Sequence, residues 1–216
     1  QQGSQAIPRR LQAFAQRYFR AKSQALEEDR PERRWQAGAD ITSWHPYLLE
    51  TLGYRSLTGM DLHVEGGTAV VPIVGRIQRY NQPWLVICET VFCLPDASLR
   101  DGMPSEDPLE LSPLQAQVRD SATKLCAGDW SHAIGRIFTD EEAPRWVLFL
   151  AGSLVLLLDK HTFAQGRYLA FDLDDAYGRD ERQTFDHLAA FLSAETLCPD
   201  GESDDVLHDR LEAQSH

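Results

Sequence analysis

The chain has 216 residues, 43% of them hydrophobic and 25% charged, with a formal net charge of −12. That length holds one large domain or two small ones and buries a real core. The acidic balance argues against a generic nucleic-acid surface, which concentrates Lys and Arg against phosphate. The charge is uneven, however: residues 1–34 carry eight Arg/Lys against four acids, a net of +4, leaving −16 on the rest. Pro8 can start a helix, and Leu11, Phe14, Ala15, Tyr18 and Phe19 put one apolar stripe on it as far as about Glu28. Its cations Arg9, Arg10, Arg17, Arg20 and Lys22 form either a solvated face or a contact to a phosphate backbone.

Residues 29–40 are charged, broken by Pro31, and read as a loop. Ser43 can cap a short helix over 44–51, which Gly53 ends. Two strands then pair across Gly66-Gly67. The second holds the apolar run Val70, Val71, Ile73, Val74 and Ile77, and reads as one strand central in a sheet. A third strand spans Trp84–Phe92. Residues 95–109 read as a long loop of the kind that often borders a functional face.

Ser112-Pro113 opens a helix with the stripe Leu114, Val118, Ala122 and Leu125. A hairpin of Arg145–Leu150 and Leu154–Asp159 turns at Gly152-Ser153. Leu154–Leu158 has no polar break and must be covered on both faces. Gly166–Leu173 is a further strand. A helix from Arg179 carries Phe185, Leu188, Ala189 and Leu192, an acidic loop covers Pro199–Asp205, and a last helix begins near Asp205. The expected fold is α/β (α+β), a mixed central sheet flanked by helices with a C-terminal helical extension. Its expected segments are 1–40, 41–175 and 176–216.

The cysteines are Cys88, Cys93, Cys126 and Cys198. None forms a Cys-x-x-Cys pair and no His pair has metal spacing, which argues against zinc. Cys88 reads as a buried thiol. The run Val147–Leu158 is too short to span a bilayer, so no membrane partner is expected and a reducing cytoplasm is the default. The polar opening Gln-Gln-Gly-Ser and the helix-like pattern at the end read as a piece of a longer chain.

The stretch from Trp44 to Phe92 has a distinctive order. A short helix ends in Leu52-Gly53-Tyr54, antiparallel strands follow, and then comes an apolar strand with Glu89 in its middle. That order resembles the start of a PD-(D/E)xK nuclease core, a restriction-endonuclease-like fold. Such chemistry needs carboxylates for Mg²⁺ and usually a lysine that orients water. The resemblance implies Glu89 as the acid of the third strand, Asp61 or Glu65 as the strand acid before it, and Glu50 as the helix acid. The pattern Glu-x-Lys is absent, because Glu89 is followed by Thr90 and Val91, and no lysine lies between Lys22 and Lys124. Gly75 also stands where a further acid would be welcome. Each acid has a plainer reading: Asp61 and Glu65 flank a solvated hairpin, Glu50 is ordinary surface, and Glu89 pairs with an arginine such as Arg76.

The run Gly166–Asp180, then Phe185–Leu192, then Val206–Ser215, looks like a block of large single-chain adenine DNA methyltransferases. These are the type IIG restriction–modification polypeptides and the related enzymes of phage-defence systems such as DISARM. The resemblance implies a nuclease-like, degenerate N-terminal module of such a protein, with DNA and defence-system subunits as partners. It implies S-adenosylmethionine for the parent and none for this chain, which has no Asn-Pro-Pro-Tyr motif and no Gly-rich loop. The alternatives are an active Mg²⁺ endonuclease and a protein-interaction module, which an acidic surface suits. Asp159-Lys160-His161 reads as a strand-end turn rather than a site. The Asp172, Asp174 and Asp175 cluster lacks the glycine and closing Glu of a calcium loop.

Overall fold

The computed structural model of the chain describes residues 6–28, 34, 44–94, 107–113 and 124–198. Over these residues it is a mixed α+β fold with two mixed sheets flanked by helices. Helices α1 (Ala6–Gln12), α2 (Ala15–Leu26) and α3 (Trp44–Thr51) come first. Strands β1 (Met60–Val64), β2 (Ala69–Ile73), β3 (Gly75–Arg79), β4 (Gln82–Cys93) and β5 (Lys124–Leu125) follow. Then come α4 (Trp130–Thr139), β6 (Trp146–Gly152), β7 (Leu154–Asp159), α5 (Lys160–Phe163) and β8 (Leu169–Asp172). Helices α6 (Leu173–Arg179), α7 (Arg182–Leu192) and α8 (Ala194–Leu197) close the described chain.

The large sheet has the order β3-β4-β6-β7-β8, and the small one β1-β2-β5. In the large sheet β4 and β6 are parallel and the other neighbours antiparallel. A parallel pair needs a crossover, and α4 lies in that connection. Two sheets stand where one was expected, because the run from Val70 to Ile77 is two strands. Residues 69–73 pair with β1 and β5, whereas 75–79 pair with β4. The chain changes sheets at Val74-Gly75. A side chain at Gly75 would lie 2.9 Å from Leu57 Cδ2, so this glycine permits close packing and is no vacant acid position.

The large sheet is covered on both faces. Leu85, Ile87, Leu148, Leu150, Val155 and Leu157 face one core, shared with residues of α1, α2, α3, α6 and α7. Val86, Cys88, Val147, Phe149, Leu156 and Leu158 face the other, shared with the small sheet and α4. The unbroken apolar strand Leu154–Leu158 is thus covered on both sides, as expected. Helix α4 was not expected, although Trp130, Ala133, Ile134, Ile137 and Phe138 have helical spacing and Asp129 accepts from His132 N–H as its N-cap. Most of the helix expected after Ser112-Pro113 lies outside the described residues, as do the segment after Cys198 and most of 29–40. Leu125, expected at that helix's end, belongs to β5.

The three expected segments share one core. Leu11, Tyr18, Ala21 and Ala25 of the N-terminal helices meet Tyr177, Phe185, Leu188 and Leu192 of the C-terminal ones against the same sheet face. Tyr18 is the contact point. It is fully buried, stacks on Tyr177 at 4.8 Å and meets the edge of Trp44 at 5.5 Å. Its hydroxyl donates to Asp174 Oδ1 at 3.1 Å. Burial pushes this phenol's pKa up and the Asp174 charge adds to it, so Tyr18 stays a donor. Tyr18→Ala should lower the unfolding free energy by about 3–5 kcal/mol through the cavity it leaves. Tyr18→Phe should cost about 1–2 kcal/mol through the lost hydrogen bond. Urea unfolding measures both; an alanine variant as stable as the parent would contradict this packing.

Candidate functional site

The site is built where β4 breaks its alternation. Through Cys88 the strand pairs regularly with β6, and Glu89 lies opposite Leu150. The next paired residue is Cys93, opposite Gly152, so β4 holds two extra residues between these points. The phase of the side chains changes with it. Phe92 packs with Leu85 and Ile87, while Val91 and Cys93 pack with Val86 and Cys88. In an unbroken strand Glu89 and Val91 would share a face; the bulge sends Val91 into the opposite core. Bulges of this kind re-aim side chains.

Glu89 is held from α3. His45 is 1% exposed, and its Nδ1 lies 3.1 Å from Glu89 Oε2. Its other nitrogen, Nε2, accepts from the backbone N–H of Gly152 at 3.1 Å. An acceptor at Nε2 leaves the ring proton on Nδ1, which donates to Glu89. Gly152 is required here: its φ is +70°, and a Cβ on it would come within 2.6 Å of Phe92 Cα. Residues of α3, β4 and β6 are therefore tied through one imidazole. The plainer reading of Glu89, a pair with Arg76, is replaced by this histidine. Arg76 instead approaches Glu142, at 3.8 Å.

Glu89 and Glu50 line one open groove of about 560 Å³, with Tyr54, Arg55 and Leu57 on its walls. Glu50 stands in the last turn of α3. Beyond that helix Tyr54 N–H returns to Leu49 O, and the Tyr54 hydroxyl donates to Leu192 O at 2.8 Å. Asp61 is not brought to this groove. It lines a separate pocket with His63, Arg76 and Glu142, beside Val86 and Ile137 of the opposite core. Glu65 also lies elsewhere, 2.9 Å from Arg136 Nε. Among the described residues Arg55 is the one cation lining the groove. Two carboxylates thus share the groove, one of them bound by His45. Among the described residues the third acid and a lysine do not join them, so the full set expected for Mg²⁺-dependent cleavage is not assembled there.

The basic residues of the N-terminal helices divide. Arg9, Arg10, Arg17 and Arg20 are exposed, and Lys22 is half-buried. Arg17 lies over the Tyr47 ring at 3.8 Å, and Lys22 is ion-paired with Asp174. The acidic cluster after β8 is a helix cap, because Asp172 Oδ1 accepts from the backbone N–H groups of Asp174 and Asp175. Asp159 likewise accepts from His161 N–H and from Arg145, as a strand-end turn does. Cys88 is fully buried, and burial pushes its thiol up.

Set against family models, curated proteins and solved structures, the chain matches none of them. Among the described residues no helix is long and apolar enough to cross a membrane.

His45 was missed in the sequence, where a histidine beside Trp44 in an apolar helix carries no distinguishing mark. His45→Ala removes one buried and one part-buried hydrogen bond at once and should cost about 2–4 kcal/mol. Glu89→Gln keeps an acceptor for Nδ1 and should cost about 1 kcal/mol or less. Thermal or urea unfolding compares them; equal losses would contradict the bridging role.

Proposed function

We propose that this chain is a nuclease-derived module in which cleavage has been lost, serving DNA engagement or scaffolding at the N-terminus of a bacterial DNA methyltransferase or restriction–modification protein. The carrying observation is the arrangement about the β4 bulge. Glu89 and Glu50 line one open groove, a placement that supports descent from the acids of a restriction-endonuclease-like core. The position two residues on, which carries lysine in active members of that fold, is Val91 in the opposite apolar core. A positive group beside the scissile phosphate is therefore missing from β4, and sites that lose one such stabiliser lose about 10²–10³ in rate. The helix, strand and helix order supports the same reading, with S-adenosylmethionine belonging to the parent protein and the cytoplasm as its compartment.

A second reading is a docking module for another defence-system subunit. The observation that favours it is the charge balance: Lys22 is ion-paired with Asp174 within the fold, and the chain beyond residue 34 carries −16. Four exposed arginines, Arg9, Arg10, Arg17 and Arg20, remain on these helices, Arg17 with its guanidinium over the Tyr47 ring.

Plasmid incubated with Mg²⁺ or Mn²⁺ should stay intact. Fluorescence anisotropy at low salt should show weak binding, indifferent to sequence. Replacing Arg9, Arg10 and Arg20 with Ala should weaken it and reduce the salt slope by up to about 3. Cleavage that disappears in Glu89→Ala would establish an active nuclease instead. Absence of any DNA binding would favour the docking reading.

A further inference from the structure

On the opposite side of the molecule, three side chains from three elements converge. Glu65 sits in the turn between β1 and β2, Cys126 directly follows β5, and His132 lies in the first turn of α4. One ligand atom from each, a carboxylate oxygen, Sγ and a ring nitrogen, lies within 4.8 Å of the others. The thiol is buried at the base, whereas Glu65 and His132 are exposed at the mouth. We propose that Cys126, His132 and Glu65 form a binding site for a thiophilic divalent transition ion of the Zn²⁺ class, with its fourth position open to water.

Local structure fixes the backbone of each donor residue beside the others. Cys126 N–H donates to Val70 O at 2.8 Å and fixes that residue beside β2. Asp129 Oδ1 accepts from His132 N–H at 2.7 Å and sets the start of α4. A side chain at Gly128 would crowd His132 Cβ at 3.2 Å, so the loop before α4 is shaped around the histidine. Glu65 is held at a φ of +56°, an uncommon backbone state for a residue with a side chain. Zinc bonds of about 2.3 Å to sulfur and about 2.0–2.2 Å to nitrogen or oxygen put tetrahedral ligand atoms about 3.3–3.8 Å apart. Small rotamer changes in the two exposed residues bring the set to that spacing.

Two of the three donors already face a cationic group. Arg136 Nε donates to His132 Nε2 at 3.3 Å and is ion-paired with Glu65 Oε1 at 2.9 Å, so one guanidinium neighbours both. Arg136 is exposed on α4 and can swing out to solvent. A divalent ion would take its place, and the Cys126 thiol proton would pass to the buffer as sulfur coordinates. One thiolate and one carboxylate then balance the double charge. The mixture of sulfur, imidazole and carboxylate selects Zn²⁺ or Co²⁺ over Mg²⁺ and Ca²⁺, which take oxygen. Sequence spacing hides the set, because Glu65 comes from a hairpin far away in the chain.

The experiment is a Co²⁺ titration of the chelator-treated whole chain, followed by Zn²⁺ displacement. It should show one equivalent per chain with a thiolate-to-cobalt charge-transfer absorption that Zn²⁺ removes. Cys126→Ser should abolish that absorption, and Cys198→Ser should leave it intact. His132→Ala, at an exposed position that does not threaten the fold, should weaken binding by more than about 100-fold, beyond the roughly 10–100-fold cost of losing a supporting residue. Arg136→Gln should tighten binding about tenfold by removing a competing positive charge. A missing charge-transfer band, or one that persists in folded Cys126→Ser or in His132→Ala at full affinity, would overturn the site. These outcomes stand apart from DNA binding and cleavage, so they leave the functional reading to its own test.

Discussion

One imidazole ties this fold together. His45 takes a hydrogen bond from the Gly152 backbone and gives one to Glu89, so α3, β4 and the end of β6 are joined at a single buried residue. The need for it is physical. β4 carries an acid within an apolar strand, and a buried acid must be paired or reach solvent. The bulge after Glu89 and the histidine together meet that need: the carboxylate turns to an open groove while Val91 returns to the core. The tight glycine at 152 follows from the same geometry, since Phe92 fills the space a side chain would take.

The helices around this point depend on it in turn. Trp44, next to His45, meets Tyr18, and Tyr18 stacks on Tyr177. The N-terminal and C-terminal helices therefore close over the same sheet face instead of standing as separate modules. Ties at the rim complete the arrangement: Arg34 donates to Phe92 O and to Ala25 O, and Trp84 Nε1 donates to Leu197 O. The basic character of the N-terminal helices is partly used in this packing, as Lys22 and Arg17 show.

Much of the fold was readable in the residues. The hairpin at Gly66-Gly67, the strand around Glu89 and the paired strands at Gly152-Ser153 follow from apolar runs broken by turn residues. Other features were not, among them the split of the N-terminal helix at Ala13-Phe14 and the helix Leu173–Arg179. The run Val70–Ile77 looks continuous because both halves are apolar, and nothing local says that residue 74 leaves one sheet for another. The spacing from Trp130 to Phe138 was overlooked because the preceding Ser-Pro signal claimed the helix earlier in the chain. Glu89 and Glu50, singled out from the acid in the apolar strand and the short helix before it, line one groove. Asp61 lines a different pocket because its strand belongs to the other sheet. Neither the bulge nor the histidine partner leaves a local sequence signal, since both arise from pairing with β6.

The protonation pattern of His45 tests the central interaction most directly. Long-range proton–nitrogen correlation NMR on the labelled chain reads which ring nitrogen carries hydrogen. The account predicts a proton on Nδ1, an acceptor at Nε2, and a shift of the Nδ1 signal in Glu89→Gln with Nε2 unchanged. A ring protonated on Nε2, or one whose signals ignore the Glu89 substitution, would contradict it.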